Sequence, residues 1–142
     1  MKWLVLLSIT LLSACNDRRP LPSGDVYVIR NDGGGQLISA ETDRAVLKLW
    51  NGPVRIEGYC NSACLIFTTL PKACLAPGLK LGFHGANVTV SFVGNPQITK
   101  YLRADVQRKF VEEWQHIPFT EIHQITAEEY VRLDPATRIC ST

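Results

Sequence analysis

Gly58 to Gly85 reads GYCNSACLIFTTLPKACLAPGLKLGFHG, and this stretch decides the fold. Just before it, Pro53 to Glu57 (PVRIE) has the character of an apolar strand. That strand is expected to run into a tight Gly-Tyr-Cys-Asn turn, then Ser62, then a short apolar run, ACLIFTTL, suited to a buried helix. A serine at a strand-to-helix junction sits among unpaired backbone N–H groups at the positive end of the helix dipole, where an oxyanion is stabilised. Ser62 is therefore a candidate nucleophile. After a Pro77-Gly78 break, the apolar strand LKLGF delivers His84 into Gly85, where it is placed to act on the serine as general base. Each residue also has a plainer role: Ser62 as a helix N-cap, His84 as a satisfied core or edge histidine.

Upstream, Asp25 to Arg30 (DVYVIR) alternates as a strand does and runs towards Gly33, Gly34 and Gly35. Three glycines between a strand and a helix allow positive φ and bring backbone N–H groups close to an anion or carbonyl oxygen. Their spacing matches neither a dinucleotide fingerprint nor a P-loop. Ser39 to Trp50 reads as an amphipathic helix presenting Ile38, Ala45, Val46 and Leu49 on one face, with acids in its first turn, and Asn51-Gly52-Pro53 stops it. Alternating strands and helices imply right-handed crossovers and a mainly parallel sheet. Ligands gather at the carboxyl ends of such strands, where the glycine turn, Ser62 and His84 all fall.

Downstream, Asn87 to Val93 alternates like a further strand. Ile98, Leu102, Val106, Phe110 and Trp114 recur every four residues, so Pro96 to His116 reads largely as one amphipathic helix whose stripe is core or oligomer contact. His116 and His123 read as solvated, and Thr126 to Arg132 (TAEEYVR) as a helix.

The order and spacing of the glycine turn, CxSAC (Cys60 to Cys64), Pro77 and LGFH (Leu81 to His84) resemble the Clp protease proteolytic-subunit and crotonase superfamily. The closest likeness is to bacterial periplasmic proteins with a Clp-protease-like fold. The resemblance covers roughly Asp25 to Leu133. It implies repeated β-α-β units with a mainly parallel sheet covered by helices, a Ser62 nucleophile and a His84 base. Oxyanion donors would be the N–H of Gly34 or Gly35 and that of Ala63. TAEEYVR resembles the helix that follows the family's orienting aspartate, yet the matching place falls near Ile122. Glu121 would serve if the register slips by one, with Asp134 a distant second. The resemblance implies a peptide substrate and no cofactor or metal. A homo-oligomer is implied by analogy only.

Met1 to Ala14 (MKWLVLLSITLLSA) carries one cation and an apolar run too short to span a bilayer, as a secretory signal does. Leu12-Ser13-Ala14-Cys15 resembles a lipobox, which implies lipidation at Cys15 and membrane attachment through that anchor; a plain secretory signal cut nearby is the alternative. By resemblance to known lipoprotein sorting rules, Asn16 rather than Asp after the cysteine implies the outer membrane, on the periplasmic side. Residues 15–24 read as a tether, and residues 25–142 as one domain. With Cys15 set aside, four cysteines remain, and an exported chain with Cys60, Cys64, Cys74 and Cys140 is expected to hold two disulfides in one of three pairings. The expected pairing is Cys64 with Cys74 and Cys60 with Cys140. Zinc on Cys60, Cys64 and Cys74 is the weaker rival, because the spacing is unlike a zinc knuckle. A net charge of +2 without clustered Lys or Arg argues against nucleic acid as partner. Outside the cytoplasm neither an unfolding ATPase nor CoA chemistry is implied. A serine hydrolase and a non-catalytic envelope binding or assembly module are the two functional expectations.

Overall fold

The computed structural model of the protein describes residues 19–87 and 94–141. The expected signal peptide, the Cys15 lipidation site and most of the strand expected after Asn87 lie outside these residues. In chain order the elements are β1 (Tyr27–Asp32), α1 (Leu37–Trp50), β2 (Val54–Asn61), a 3-10 helix (Ser62–Thr69), β3 (Ala73–Leu75) and β4 (Lys80–Phe83). There follow α2 (Gly94–Thr99), α3 (Ala104–Glu112), a 3-10 turn (Trp114–His116), β5 (His123–Thr126) and α4 (Ala127–Leu133). The class is mixed α/β with a five-stranded, mostly parallel sheet. β2 is central: β1 pairs with one edge, and β3 and β4 share the other, all parallel. β5 adds antiparallel to β4.

Two local expectations are corrected around β2 and α1. The Gly58-Tyr59-Cys60-Asn61 segment continues the strand instead of turning, and Gly58 takes φ 78° where the Asn31 side chain lies against its α-carbon. The pairing with β1 shifts register between Arg30 and Asp32, as at a bulge. Helix α1 buries Ala40, Asp43 and Leu47, while Ile38 and Leu49 are 74% and 87% exposed. It begins two residues before the expected start and has no acid in its first turn. An aspartate faces inward because its partner, Arg19, arrives from outside the helix. Hydrophobicity read along the helix cannot register a partner supplied from elsewhere.

The stripe from Ile98 to Trp114 is core, with all five residues at most 5% exposed. It is carried by α2, the α2–α3 connection (Leu102), α3 and the 3-10 turn, not by one helix, and Ala104 at φ 49° marks the break. Gln107 Nε2 donates to the carbonyls of Thr99 (2.9 Å) and Leu102 (3.0 Å), satisfying acceptors that an unbroken helix would have used. Thr126 caps α4 by accepting from the Glu129 N–H at 3.2 Å.

The core binds the site's elements to each other. Phe83, the last residue of β4, packs against Trp114 with ring centroids 4.3 Å apart and stacks near Tyr130. The Tyr130 hydroxyl hydrogen-bonds Thr68 of the 3-10 helix at 2.8 Å. Burial pushes the Tyr130 phenol well above its ordinary value, so it stays neutral. His84 and Ser62 are thus carried by elements that share one aromatic core.

Two disulfides form, but their pairing differs from the expected one: Cys60 joins Cys64, and Cys74 joins Cys140. The first 3-10 turn folds Cys64 back to a Cα separation of 5.3 Å from Cys60. Residues 138–140 run beside β3, with Leu75 opposite Ile139 and the Cys140 N–H donating to the Leu75 carbonyl at 2.8 Å. That places Cys140 against Cys74, at a Cα separation of 4.9 Å. Disulfides persist in oxidising compartments, which fits an exported chain.

Candidate active site

Strand register brings the three sequence elements to one edge of the sheet. Asp32, the last residue of β1, pairs with Cys60, and Asn61, the last of β2, pairs with Gly82 of β4. The glycine turn, Ser62 and His84 therefore leave neighbouring strands at the same end. β1, β2 and β4 are parallel, so all three lie at carboxyl ends, where the crevice of an open α/β sheet forms.

Ser62 is half-buried and adopts φ 55°. Left-handed backbone at a residue other than glycine costs about 1–3 kcal/mol and persists only when its surroundings impose it. Here they do. A Cβ on Gly34 would lie 2.7 Å from the Asn61 carbonyl oxygen, 2.8 Å from Ser62 Cβ and 3.0 Å from the Ala63 nitrogen, so only glycine permits this approach. On the other side, the Cys60–Cys64 disulfide joins the residues two before and two after the serine. The plain capping role also falls away. Asn61 occupies the N-cap position, and the Ser62 hydroxyl makes no hydrogen bond among the described residues. A serine on a strained strand-to-helix turn is the geometry of a nucleophile elbow, with a disulfide where glycines usually make room.

The expected oxyanion donors separate into two groups. The Gly34 N–H is already spent: it donates to Asp32 Oδ1 at 2.8 Å, closing an Asx-type turn. Gly35 is exposed and its N–H has no acceptor among the described residues. Ala63 lies in the first turn of the 3-10 helix, where N–H groups lack intrahelical acceptors. That leaves the N–H groups of Gly35 and Ala63 as the candidate donors, with Gly34 packed directly against Ser62 and the Ala63 nitrogen.

His84 follows directly after β4 and is half-buried, with Nδ1 2.7 Å from the Gly85 carbonyl oxygen. A carbonyl only accepts, so Nδ1 is protonated and the neutral ring keeps its lone pair on Nε2, the tautomer a general base needs. Gly85 is fixed in turn by its N–H donating to the Ile117 carbonyl at 2.8 Å, and the Gln115 carbonyl packs where a Cβ would stand. Ser62 and His84 make no hydrogen bond to each other among the described residues.

Neither expected acid attends the histidine. The Glu121 side chain is exposed and has no hydrogen bond or ion pair among the described residues. Asp134 is buried and committed to Arg103 (2.9 Å) and Thr137 (2.7 Å). His123, expected to be solvated, is exposed but stacks on Trp114 at 5.3 Å.

Three participants were not singled out in the sequence. Asp32 positions Gly34, and its place before a glycine run was a readable Asx-turn signal. Asn61 Oδ1 is buried over Gly82 without a hydrogen-bond partner among the described residues, beside Ser62. Arg19, assigned to a tether, docks on the domain. It pairs with Asp32 and with Asp43 (3.3 Å), and its guanidinium lies 4.4 Å from the centroid of the Phe67 ring. Burial pulls its pKa down from the ordinary arginine value while Asp43 opposes the shift, so it remains a cation.

The Cys60–Cys64 bridge closes only a short loop, with a sequence separation of 4, so removing it by double serine substitution is expected to cost about 2 kcal/mol. Its larger effect falls on Ser62, whose left-handed backbone loses one of two braces. Backbone dynamics by NMR should show Ser62 and Ala63 broadened in the double variant and ordered in the wild type. Identical order in both would mean that Gly34 alone holds the elbow.

The chain matches no known family model and no characterised protein in sequence comparison.

Proposed function

We propose that the chain is an exported serine hydrolase acting on peptides, with a Clp-protease- or crotonase-like architecture and a lipid anchor at Cys15 on the periplasmic side of the outer membrane. The observation that carries this reading is Ser62 at φ 55°, with no hydrogen-bond partner for its hydroxyl among the described residues, where β2 meets the 3-10 helix. Of the four non-glycine residues with positive φ among the described residues, Asn31, Asn51, Ser62 and Ala104, Ser62 is the one whose side chain is able to serve as a nucleophile.

Ser62 Oγ attacks the scissile carbonyl carbon while His84 Nε2 takes the hydroxyl proton. The N–H groups of Gly35 and Ala63 receive the oxyanion. Collapse breaks the C–N bond, His84 returns the proton to the leaving amine, and an acyl-Ser62 intermediate remains. Water, deprotonated by His84, then releases the acid. The Gly85 carbonyl orients the imidazole as a triad carboxylate would, but brings no full charge to the imidazolium, so turnover is slow.

A fluorophosphonate probe tests the reading. Wild type should be labelled at Ser62, Ser62→Ala should not be labelled, and His84→Ala should react at least about a hundredfold more slowly. Glu121→Gln should react like wild type, since the carboxylate touches nothing in the site. Labelling that survives in Ser62→Ala would sink the proposal. A wild type that resists the probe would select the second reading, a binding or assembly module of the envelope. That reading is favoured by the lack of a carboxylate on His84 among the described residues.

A further inference from the structure

Arg19 is the best-held residue of the segment that precedes β1. Its backbone N–H and its guanidinium both reach Asp43 Oδ2, at 3.4 and 3.3 Å, and the guanidinium also pairs with Asp32. Its planar group sits 4.4 Å from the centroid of the fully buried Phe67 ring. Two carboxylates and one aromatic face make a recess with the chemistry of guanidinium recognition: a planar, forked donor with a face that stacks. Cavities of about 310 and 120 Å³ flank Arg19, the smaller lined also by Gly34, Gly35, Gln36 and Ser39. The recess therefore has space beside it and is not simply core. Asp43 explains itself only through this occupant, because an 8%-exposed carboxylate without a cation would be costly.

The recess is also linked to the glycine turn. Asp32 holds Arg19 and accepts the Gly34 N–H at 2.8 Å with Oδ1, while Gly34 presses on Ser62. We propose that Asp32, Asp43 and the face of Phe67 form a guanidinium-binding socket, filled in cis by Arg19, whose occupancy holds the glycine turn against Ser62. Arg19 is a positioning residue, and the ligand class of the socket is a guanidinium group. The segment leading out of the domain is thereby coupled to the site. The link to catalysis rests on the hydrolase reading; the socket itself does not.

Amide exchange at Gly34 in the full chain, followed by NMR, reads the socket directly. Arg19→Ala should accelerate it at least about tenfold, because the Asp32 carboxylate loses the cation that holds it in place and the turn it closes opens more often. Methylguanidinium chloride should slow it again, and methylammonium chloride at equal concentration should not. Arg30→Ala, which removes an exposed pair with Glu57, should leave it unchanged. If Arg19→Ala does not fold, Arg19→Gln keeps the stem and serves the same comparison: faster exchange than wild type supports the socket. Unchanged exchange, or rescue by neither salt or by both equally, overturns it. Probe labelling of Ser62 should fall and recover in the same order. A wild type that is never labelled refutes the hydrolase while the exchange result still decides the socket.

Discussion

Gly34→Ala is expected to abolish most reactivity at Ser62, by about a hundred- to a thousandfold, the loss typical when an oxyanion donor is displaced. The added methyl has nowhere to go: it would meet the Asn61 carbonyl, Ser62 Cβ and the Ala63 nitrogen, all backbone or the root of a side chain. Gly34 also sits at φ 92°, which alanine adopts only under strain. Overpacking and backbone strain together should lower stability by about 2–5 kcal/mol, leaving a chain of ordinary stability folded. Gly33→Ala is the matched control, because a Cβ there meets nothing within 4 Å and its φ is not left-handed. Probe kinetics and chemical denaturation of the two variants check both arms. Equal reactivity in Gly34→Ala and wild type would show that this close approach does not shape the site.

Loss of the Cys74–Cys140 bridge is expected to be the most destabilising disulfide change, at about 4 kcal/mol against about 2 for Cys60–Cys64. The difference follows from the sequence separations, 66 against 4, because the longer cross-link removes more freedom from the unfolded chain. The long bridge also pins residues 138–140 beside β3, where Arg138 donates to the Ala73 carbonyl at 3.3 Å and Leu75 bonds the Arg138 carbonyl at 2.9 Å. For a domain of this size the midpoint should fall by roughly 12–20 °C on replacing both cysteines with serine. Calorimetry of the two double variants decides it. The reverse order of stabilities would refute an account based on loop size.

The sequence by itself determined the α/β class, the strand-to-helix junction at Ser62, the strand that ends at His84, the core stripe from Ile98 to Trp114 and the presence of two bridges. These are legible because each rests on local chemistry: period-two and period-four hydrophobicity, glycine and proline breaks, and an even count of cysteines. Tertiary structure alone decided which cysteines pair, since the pairing of β3 with residues 138–140 joins segments more than sixty residues apart. It decided which face of α1 is buried, because the cation for Asp43 comes from Arg19 across a gap of 24 residues. It broke one expected helix into α2, α3 and a 3-10 turn, with Gln107 taking over carbonyls at the first break. It also withdrew Gly34 as a donor and gave the histidine a carbonyl in place of an acid. Apart from the Asp32 turn, which is local, the deciding partner in each case is distant in sequence or belongs to the backbone, whose positions exist only once the sheet has formed.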